Sequence, residues 1–215
     1  MLNHESTIIW DWNGTLLDDV NICIEIMNRI LHKRGLKPLT KTRYQEIFQF
    51  PVIEYYKKLG FDFNRDSFES LSVEFIESYN RELKKADLFK HSVDILKEFK
   101  ARNYLQIVIS AMEQRALIKS LRDKVVSGYF DYMIGINDHY AISKVEFAVD
   151  FIKKNNIYPG KTVLIGDTTH DYEVAQAIGC KCLLVANGHQ SYSKLSLTTV
   201  PVYKNLKYIL GIISN

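Results

Sequence analysis

Four short polar clusters interrupt an otherwise ordinary chain, and their residue types suit chemistry on an anionic centre. Asp11, Asn13 and Thr15 follow the apolar run "TIIW". Ser110 ends "YLQIVIS". Lys144 opens "KVEFAVDF". Asp167, Thr168 and Asp171 lie in "GDTTHD". An aspartate such as Asp11 can attack phosphorus to give an aspartyl-phosphate, which water then hydrolyses. Nucleophile and substrate would both be negative, so a divalent cation held by Asp11 and Asp167 would offset their repulsion and polarise the phosphoryl group. Mg²⁺ suits such a site, because it takes a few carboxylates, a carbonyl and water, and leaves room for substrate phosphate. Lys144 would supply a fixed positive charge. The hydroxyls of Thr15 and Ser110 and the backbone amides of the Asn13-Gly14 turn could bind phosphate oxygens.

These residues can act together only if the fold gathers them. Thr7 to Trp10 is β-branched and aromatic, as a buried strand requires. Asn13-Gly14 turns the chain. Val20, Cys23, Ile24, Met27, Ile30 and Leu31 recur at helical spacing, with Asp18 or Asp19 available to cap the helix and Gly35 to end it. "FPVIEYYKKLG" reads as a short helix with Pro51 in its first turn. Phe68, Leu71, Phe75, Ile76, Tyr79 and Leu83 form a further amphipathic stripe, and nothing between Asp19 and Asp87 reads as a strand.

From Leu88 the pattern alternates. Strands end at Ser110, near Ile136 and at Gly166, and "KCLLVA" forms another. Helices run from about Glu113 to Arg122, Ser143 to Asn155, Asp171 to Ile178 and Asn205 to Ile213. Ser143 and Glu146 match a capping box. Alternating β and α elements imply a parallel sheet with helices on both faces. In such sheets ligands bind beyond the carboxyl ends of the strands, where the polar clusters fall.

Composition narrows the function classes. Of 215 residues 47% are hydrophobic and 25% charged, which suits a globular protein able to bury a substantial core. The net charge of +3 is too small for a nucleic-acid footprint. The N-terminus has no signal-peptide pattern and no apolar run could cross a bilayer, so the expected location is the cytoplasm, without a membrane partner. Cys23, Cys180 and Cys182 show neither metal-site spacing nor a secreted framework, and are expected to pack as thiols.

"DWNGTLLD", the Ser of "IVIS", the Lys of "ISKVE" and "GDTTHD" resemble, in order and spacing, the four motifs of the haloacid dehalogenase superfamily. The chain is most similar to its phosphoglycolate-phosphatase-like hydrolases with a small helical cap. The resemblance implies a Rossmann-like α/β core over residues 1–17 and 88–215, with a helical cap over 18–87. It implies an Mg²⁺-dependent phosphatase acting on a small phosphorylated molecule, a monoester or acyl phosphate. Asp11 would be the nucleophile. Thr15, Ser110, Ala111 and Lys144 would bind phosphate, and Lys144 would also steady the nucleophile. Asp11, the backbone carbonyl of Asn13, Asp167 and Asp171 would hold the metal, Asp171 directly or through water.

Asn13 departs from that pattern, which puts a general acid-base there. A carboxamide keeps the carbonyl ligand but cannot exchange a proton near neutral pH, and such assistance is typically worth about 10²–10⁴-fold. Three readings follow: a phosphatase that is slow or prefers good leaving groups, a phosphate-binding module with little turnover, or a phosphonate hydrolase using a cap lysine among Lys33, Lys37, Lys57 and Lys58 as a Schiff base. Restoring Asp at position 13 is expected to raise activity on poor leaving groups. His170 could substitute as acid, although a histidine in a first helical turn is ordinarily solvated. Trp12 is expected to pack, Phe50, Tyr55 and Tyr56 to be core or to line the pocket, and His189 to lie near the same sheet edge as a candidate for substrate contact. His4, His32, His91 and His139 are expected at the surface.

Overall fold

The computed structural model describes residues 6–136 and 144–213. Its strands are β1 (Thr7–Trp10), β2 (Leu17–Asp18), β3 (Asp87–Leu88), β4 (Leu105–Glu113), β5 (Tyr132–Ile136), β6 (Thr162–Gly166), β7 (Lys181–Val185) and β8 (Val202–Tyr203). Its α-helices are α1 (Val20–His32), α2 (Lys41–Ile47), α3 (Val52–Leu59), α4 (Phe68–Glu82), α5 (Ser92–Ala101), α6 (Gln114–Asp123), α7 (Lys144–Lys154), α8 (Thr169–Ile178), α9 (Tyr192–Leu195) and α10 (Leu206–Ile213).

Six strands form one parallel sheet in the order β5-β4-β1-β6-β7-β8. The strand "TIIW" is buried along its whole length because it lies at the centre, between β4 and β6. Its side chains alternate between two cores. Ile8 and Trp10 pack with α1, α5 and much of the helical segment, and Ile9 packs with Ile107, Ile109 and the apolar sides of α7 and α8. The expected α/β architecture with helices on both faces is therefore what the chain adopts.

Register places the tips. Trp10 is level with Val108 on one side and Ile165 on the other, and the Asp11 amide donates to the Ile165 carbonyl at 2.9 Å. Asp11 and Asp167 therefore leave adjacent strands at nearly the same height, at the point where successive strands lie to either side of β1, the usual ligand crevice of an open sheet.

Helices α1 to α4 follow one another with no strand between them. This helical stretch leaves and rejoins the rest of the chain through a small antiparallel ribbon, in which Leu17 pairs with Leu88 and Asp18 with Asp87. Two-residue strands carry too little pattern to be legible in sequence, as is also true of β8. Other differences are local. β4 continues past Ser110 to Glu113, with a register irregularity after Ile109. Pro51 caps α3 from outside rather than sitting in its first turn. Asp19 occupies the N-cap position of α1, but its side chain makes no cap hydrogen bond. Ser143, His4 and His139 lie outside the described residues. Among those described, no helix is long and apolar enough to cross a membrane.

Candidate active site

Asp11, Asp167 and Asp171 are buried and offer carboxylate oxygens that all lie within 4.8 Å of one another. Lys144, at the start of α7, is buried with them. Its ammonium pairs with Asp11 Oδ1 and with Asp171 Oδ1, the latter at 2.7 Å. The sequence-predicted nucleophile, lysine and late aspartates thus come together.

Each side chain is held by its own local structure. Asp171 closes a capping box on α8: Oδ2 accepts from the Thr168 amide at 3.0 Å, the Thr168 hydroxyl at 2.7 Å and the Asp167 amide at 3.2 Å. Its other oxygen accepts from Lys144, so both oxygens of Asp171 are anchored. Asp167 accepts from the Thr15 hydroxyl at 2.9 Å and from the His189 amide at 2.6 Å. The Thr15 hydroxyl also lies 3.4 Å from Asp11 Oδ2, so it faces the two carboxylates. Ser110 donates to Asn13 Oδ1 at 3.1 Å and accepts from the Met112 amide at 3.1 Å. Ala111 is exposed beside it in β4.

The turn after β1 requires glycine. Gly14 has φ +75°, and an added Cβ there would collide with Asp167 and His189. Gly188 has a different restriction: a Cβ would run into the Asp167 carboxylate and the Gly14 carbonyl. A backbone carbonyl in a tight turn cannot move aside, so Gly188→Ala is expected to destabilise the fold by about 1–3 kcal/mol, the usual cost of overpacking. It should also impair the site, as measured by urea unfolding alongside turnover. Wild-type stability in this variant would show that the two loops have slack.

A second buried network adjoins the first, and sequence reasoning largely missed it. Asp19 turns inward. Oδ1 accepts from the Gly14 amide at 3.0 Å and lies 3.3 Å from His189 Nε2. Oδ2 accepts from Asn13 Nδ2 at 3.0 Å and from the Tyr79 hydroxyl at 2.6 Å. Asn13 Nδ2 also lies 2.6 Å from the Tyr79 oxygen, and the Tyr44 hydroxyl meets His189 Nδ1 at 2.7 Å. His189, expected near the sheet edge as a candidate substrate contact, is 6% exposed and joins helix α2, the first turn and Asp167. The one sequence signal for Asp19 was a second acid at a helix start where a single cap suffices.

The electrostatics follow from burial. With all groups ionised, four carboxylates (Asp11, Asp19, Asp167 and Asp171) face two cations (Lys144 and His189), an excess of two negative charges. Burial lifts Asp11 to about 8 against the pull of Lys144, with Asp171 and Asp167 adding to the rise. Burial also lifts Asp167 to about 6, opposed by His189. Asp171 is held below its ordinary value because Lys144 and Thr168 outweigh its burial. Burial alone would lower Lys144, but Asp11 and Asp171 reverse this and raise it. Burial would likewise lower His189, yet Asp19 and the nearby carboxylates hold it up at about 9, while His189, Tyr79 and Asn13 keep Asp19 low despite its burial.

A hard divalent cation fits this donor set. Asp11 and Asp167 present buried oxygens bracketing Thr15, and the local excess of negative charge is what such an ion would neutralise.

The remaining candidates separate clearly. His170 is not freely solvated: Nδ1 meets Glu173 Oε2 at 2.8 Å and its ring stacks on Phe50, with centroids 4.7 Å apart. Tyr55 and Tyr56 are buried, and Trp12 is buried and donates to Ser120. Lys33, Lys37, Lys57 and Lys58 are all exposed; Lys33 pairs with Glu74 and Lys57 with Glu54. His32 is exposed, and His91 meets Asp94.

Buried carboxylates at adjacent strand tips of a parallel sheet, tied by one lysine, define a hydrolase-type α/β enzyme. The chain belongs to the haloacid dehalogenase-like hydrolase family, whose profile matches residues 8–185. An N-acetylmuramic acid 6-phosphate phosphatase from Pseudomonas putida is 24% identical over 186 residues, 85% of this chain and 83% of that one. Among solved structures, a haloacid dehalogenase-like family hydrolase from Streptococcus pneumoniae superposes with a TM-score of 0.81 at 19% identity, covering 97% of this chain and 99% of that one. A predicted phosphoglycolate phosphatase from Haemophilus somnus gives 0.77 at 17% identity, covering 99% of both. These structural likenesses establish the fold.

Proposed function

We propose that the chain is an Mg²⁺-dependent phosphatase that hydrolyses a small-molecule phosphate ester through an aspartyl-phosphate on Asp11, and that Asn13 biases it toward good leaving groups. The observation that carries this reading is the buried Asp11–Lys144–Asp171 ion triad beside Asp167. A binding module has no need of a nucleophile held at a strand tip. A Schiff-base route to phosphonates is disfavoured because the four helical-segment lysines weighed for it are solvent-exposed rather than desolvated beside Asp11.

Asp11 and Asp167, with the Asn13 carbonyl, would hold the ion, and Asp171 would orient them. Bound there, Mg²⁺ would neutralise the paired carboxylates and polarise the phosphoryl group. Asp11 attacks phosphorus as the bond to the leaving oxygen breaks and that oxygen takes its proton from solvent; Lys144 balances charge on the nucleophile and the phosphoryl oxygens, and the Ser110 hydroxyl would turn from Asn13 Oδ1 to those oxygens. Water then cleaves the aspartyl-phosphate. Asn13 has no proton to give the departing oxygen, so aryl or acyl phosphates should turn over faster than alkyl esters. Helices α1–α4, over the interval 18–87, would act as the cap that selects substrate. A panel of phosphate esters that includes N-acetylmuramic acid 6-phosphate and phosphoglycolate, assayed with Mg²⁺ and with chelator, tests the reading. Lack of turnover on every ester in Mg²⁺ would sink it.

Metal binding should also register in stability. Mg²⁺ at a hundred times its Kd should stabilise the fold by about 2.7 kcal/mol, a shift of roughly 5–11 °C in Tm for a chain of this size. The pH dependence has a definite sign. Asp11 and Asp167 are raised above their ordinary 3.8, so between pH 4 and 8 the folded metal-free protein retains protons that the unfolded chain has released. Its stability should therefore fall as pH rises through that window. Mg²⁺ affinity should rise over the same window, because metal must displace those protons. Thermal melts with and without Mg²⁺ at pH 5.5 and 8 decide it; a smaller Mg²⁺ shift at pH 8 contradicts the assignment.

A further inference from the structure

We propose that Asp19 is a positioning residue of this site and that positions 13 and 19 form a charge-exclusive pair, able to hold one buried ionised carboxylate between them but not two. The first half rests on geometry alone; its catalytic consequence rests on the phosphatase reading above. Asp19 Oδ2 accepts from Asn13 Nδ2 at 3.0 Å, and its Oδ1 accepts from the Gly14 amide at 3.0 Å. One carboxylate therefore fixes both the side chain of Asn13 and the turn that carries its backbone carbonyl. The Asn13 carboxamide is fully oriented: Nδ2 meets Asp19 and Tyr79, and Oδ1 accepts from Ser110.

The same carboxylate ties the first turn to the loop after β7. His189 pairs with Asp19 through its ring and donates its amide to Asp167. Tyr44 on α2 and Tyr79 on α4 complete the enclosure, and Cys23 Sγ lies 3.8 Å away. Asp19 is 1% exposed, so it touches no substrate and acts through Asn13 and His189.

This changes the meaning of the amide at position 13. A carboxylate there would sit at hydrogen-bond distance from Asp19 in a low-dielectric interior that already holds more negative than positive charge. Two carboxylates so placed repel strongly unless one keeps a proton, which the other then holds in a hydrogen bond. The buried acid of this network stands at position 19, and position 13 must then be a neutral donor. The acid-restoring change Asn13→Asp alone therefore either repels Asp19 or commits its proton to a hydrogen bond with Asp19 instead of to the departing oxygen, contrary to the simple expectation from sequence. Asp19→Asn is isosteric and keeps an oxygen for the Gly14 amide, so the exchange Asn13→Asp with Asp19→Asn conserves both the net charge and an amide-to-carboxylate hydrogen bond.

The test is a four-protein cycle of wild type, Asn13→Asp, Asp19→Asn and the exchange variant, measured by thermal midpoint in chelator and by hydrolysis of para-nitrophenyl phosphate and an alkyl phosphate in Mg²⁺. Both single variants should melt below wild type, and the exchange variant should melt above either single. On the alkyl phosphate the exchange variant should exceed Asn13→Asp by at least about tenfold, within the usual range of general acid assistance. Additive midpoint losses, or an Asn13→Asp variant as stable as wild type and more active, would overturn the pairing. Isosteric Asp19→Asn guards against mere misfolding of Asn13→Asp, since unfolding of that variant rescued in the exchange variant itself supports the pairing. A non-additive cycle with no turnover in any of the four proteins would uphold the pairing while refuting the phosphatase reading.

Discussion

Asp11→Asn is expected to lower hydrolysis of every substrate by at least about 10³-fold, some 4 kcal/mol of barrier. The amide has almost the shape of the carboxylate but no nucleophilic charge, so the loss belongs to chemistry and not to packing. The surrounding charges make this separable by experiment. Burial raises Asp11 to about 8 against Lys144, which means that its ionised form is a burden on the metal-free fold. The Asn variant should therefore keep, or slightly exceed, wild-type stability in chelator at pH 8, while losing most of the Mg²⁺-induced rise in Tm. Turnover is measured with para-nitrophenyl phosphate at saturating Mg²⁺ and stability by urea unfolding. Retention of more than about one-tenth of wild-type activity by a cleanly folded Asn variant would remove Asp11 from the nucleophile's place, because loss of the attacking group cannot be that mild.

Lys144→Met should have the second largest effect and should act on the fold as well. Lys144 is 7% exposed and is the cation shared by Asp11 and Asp171. Methionine fills much of the volume, but leaves buried carboxylates within 4.8 Å of one another without their counter-charge. Removing one partner of a buried ion pair typically costs about 3–5 kcal/mol, or roughly 6–20 °C in Tm at this chain length. Mg²⁺ should recover part of that stability, since it supplies positive charge to the same oxygens, yet turnover should stay at least about 10²-fold down because charge stabilisation of the phosphoryl group is lost. Lys144→Arg should not rescue turnover: a planar guanidinium cannot place one compact charge between two carboxylates at the start of α7. The measurements are unfolding in urea with and without Mg²⁺ and steady-state kinetics. A Met variant as stable as wild type in chelator would mean that Asp11 and Asp171 do not depend on this lysine.

Both results trace to residues that the sequence marks plainly. A β-branched and aromatic strand buried along its whole length, such as "TIIW", is satisfied at the centre of a sheet, and the polar residues that follow such strands emerge at one edge. Sequence order therefore sufficed to group Asp11, Ser110, Lys144, Asp167 and Asp171, and the alternation of apolar periods from residue 88 onward sufficed for a parallel α/β core. Asp171 was legible as well, because a capping box is a local device whose partners lie three residues apart.

What sequence could not reach is whatever depends on contacts between distant segments. Asp19 is a good helix cap by local rules, and only the close packing of α4 and the post-β7 loop turns its carboxylate toward Asn13, Tyr79 and His189. His189 was legible only as a residue near the same sheet edge, since its partner Asp19 lies at the other end of the chain. The hydroxyl of Thr15 faces carboxylates because β1 and β6 run in register. Local pattern decides which strands form and which polar residues end them, because burial of apolar side chains and capping are satisfied within a few residues. Which charge stands beside which other charge is set by long-range packing in a water-poor interior, and that determines what the amide at position 13 does.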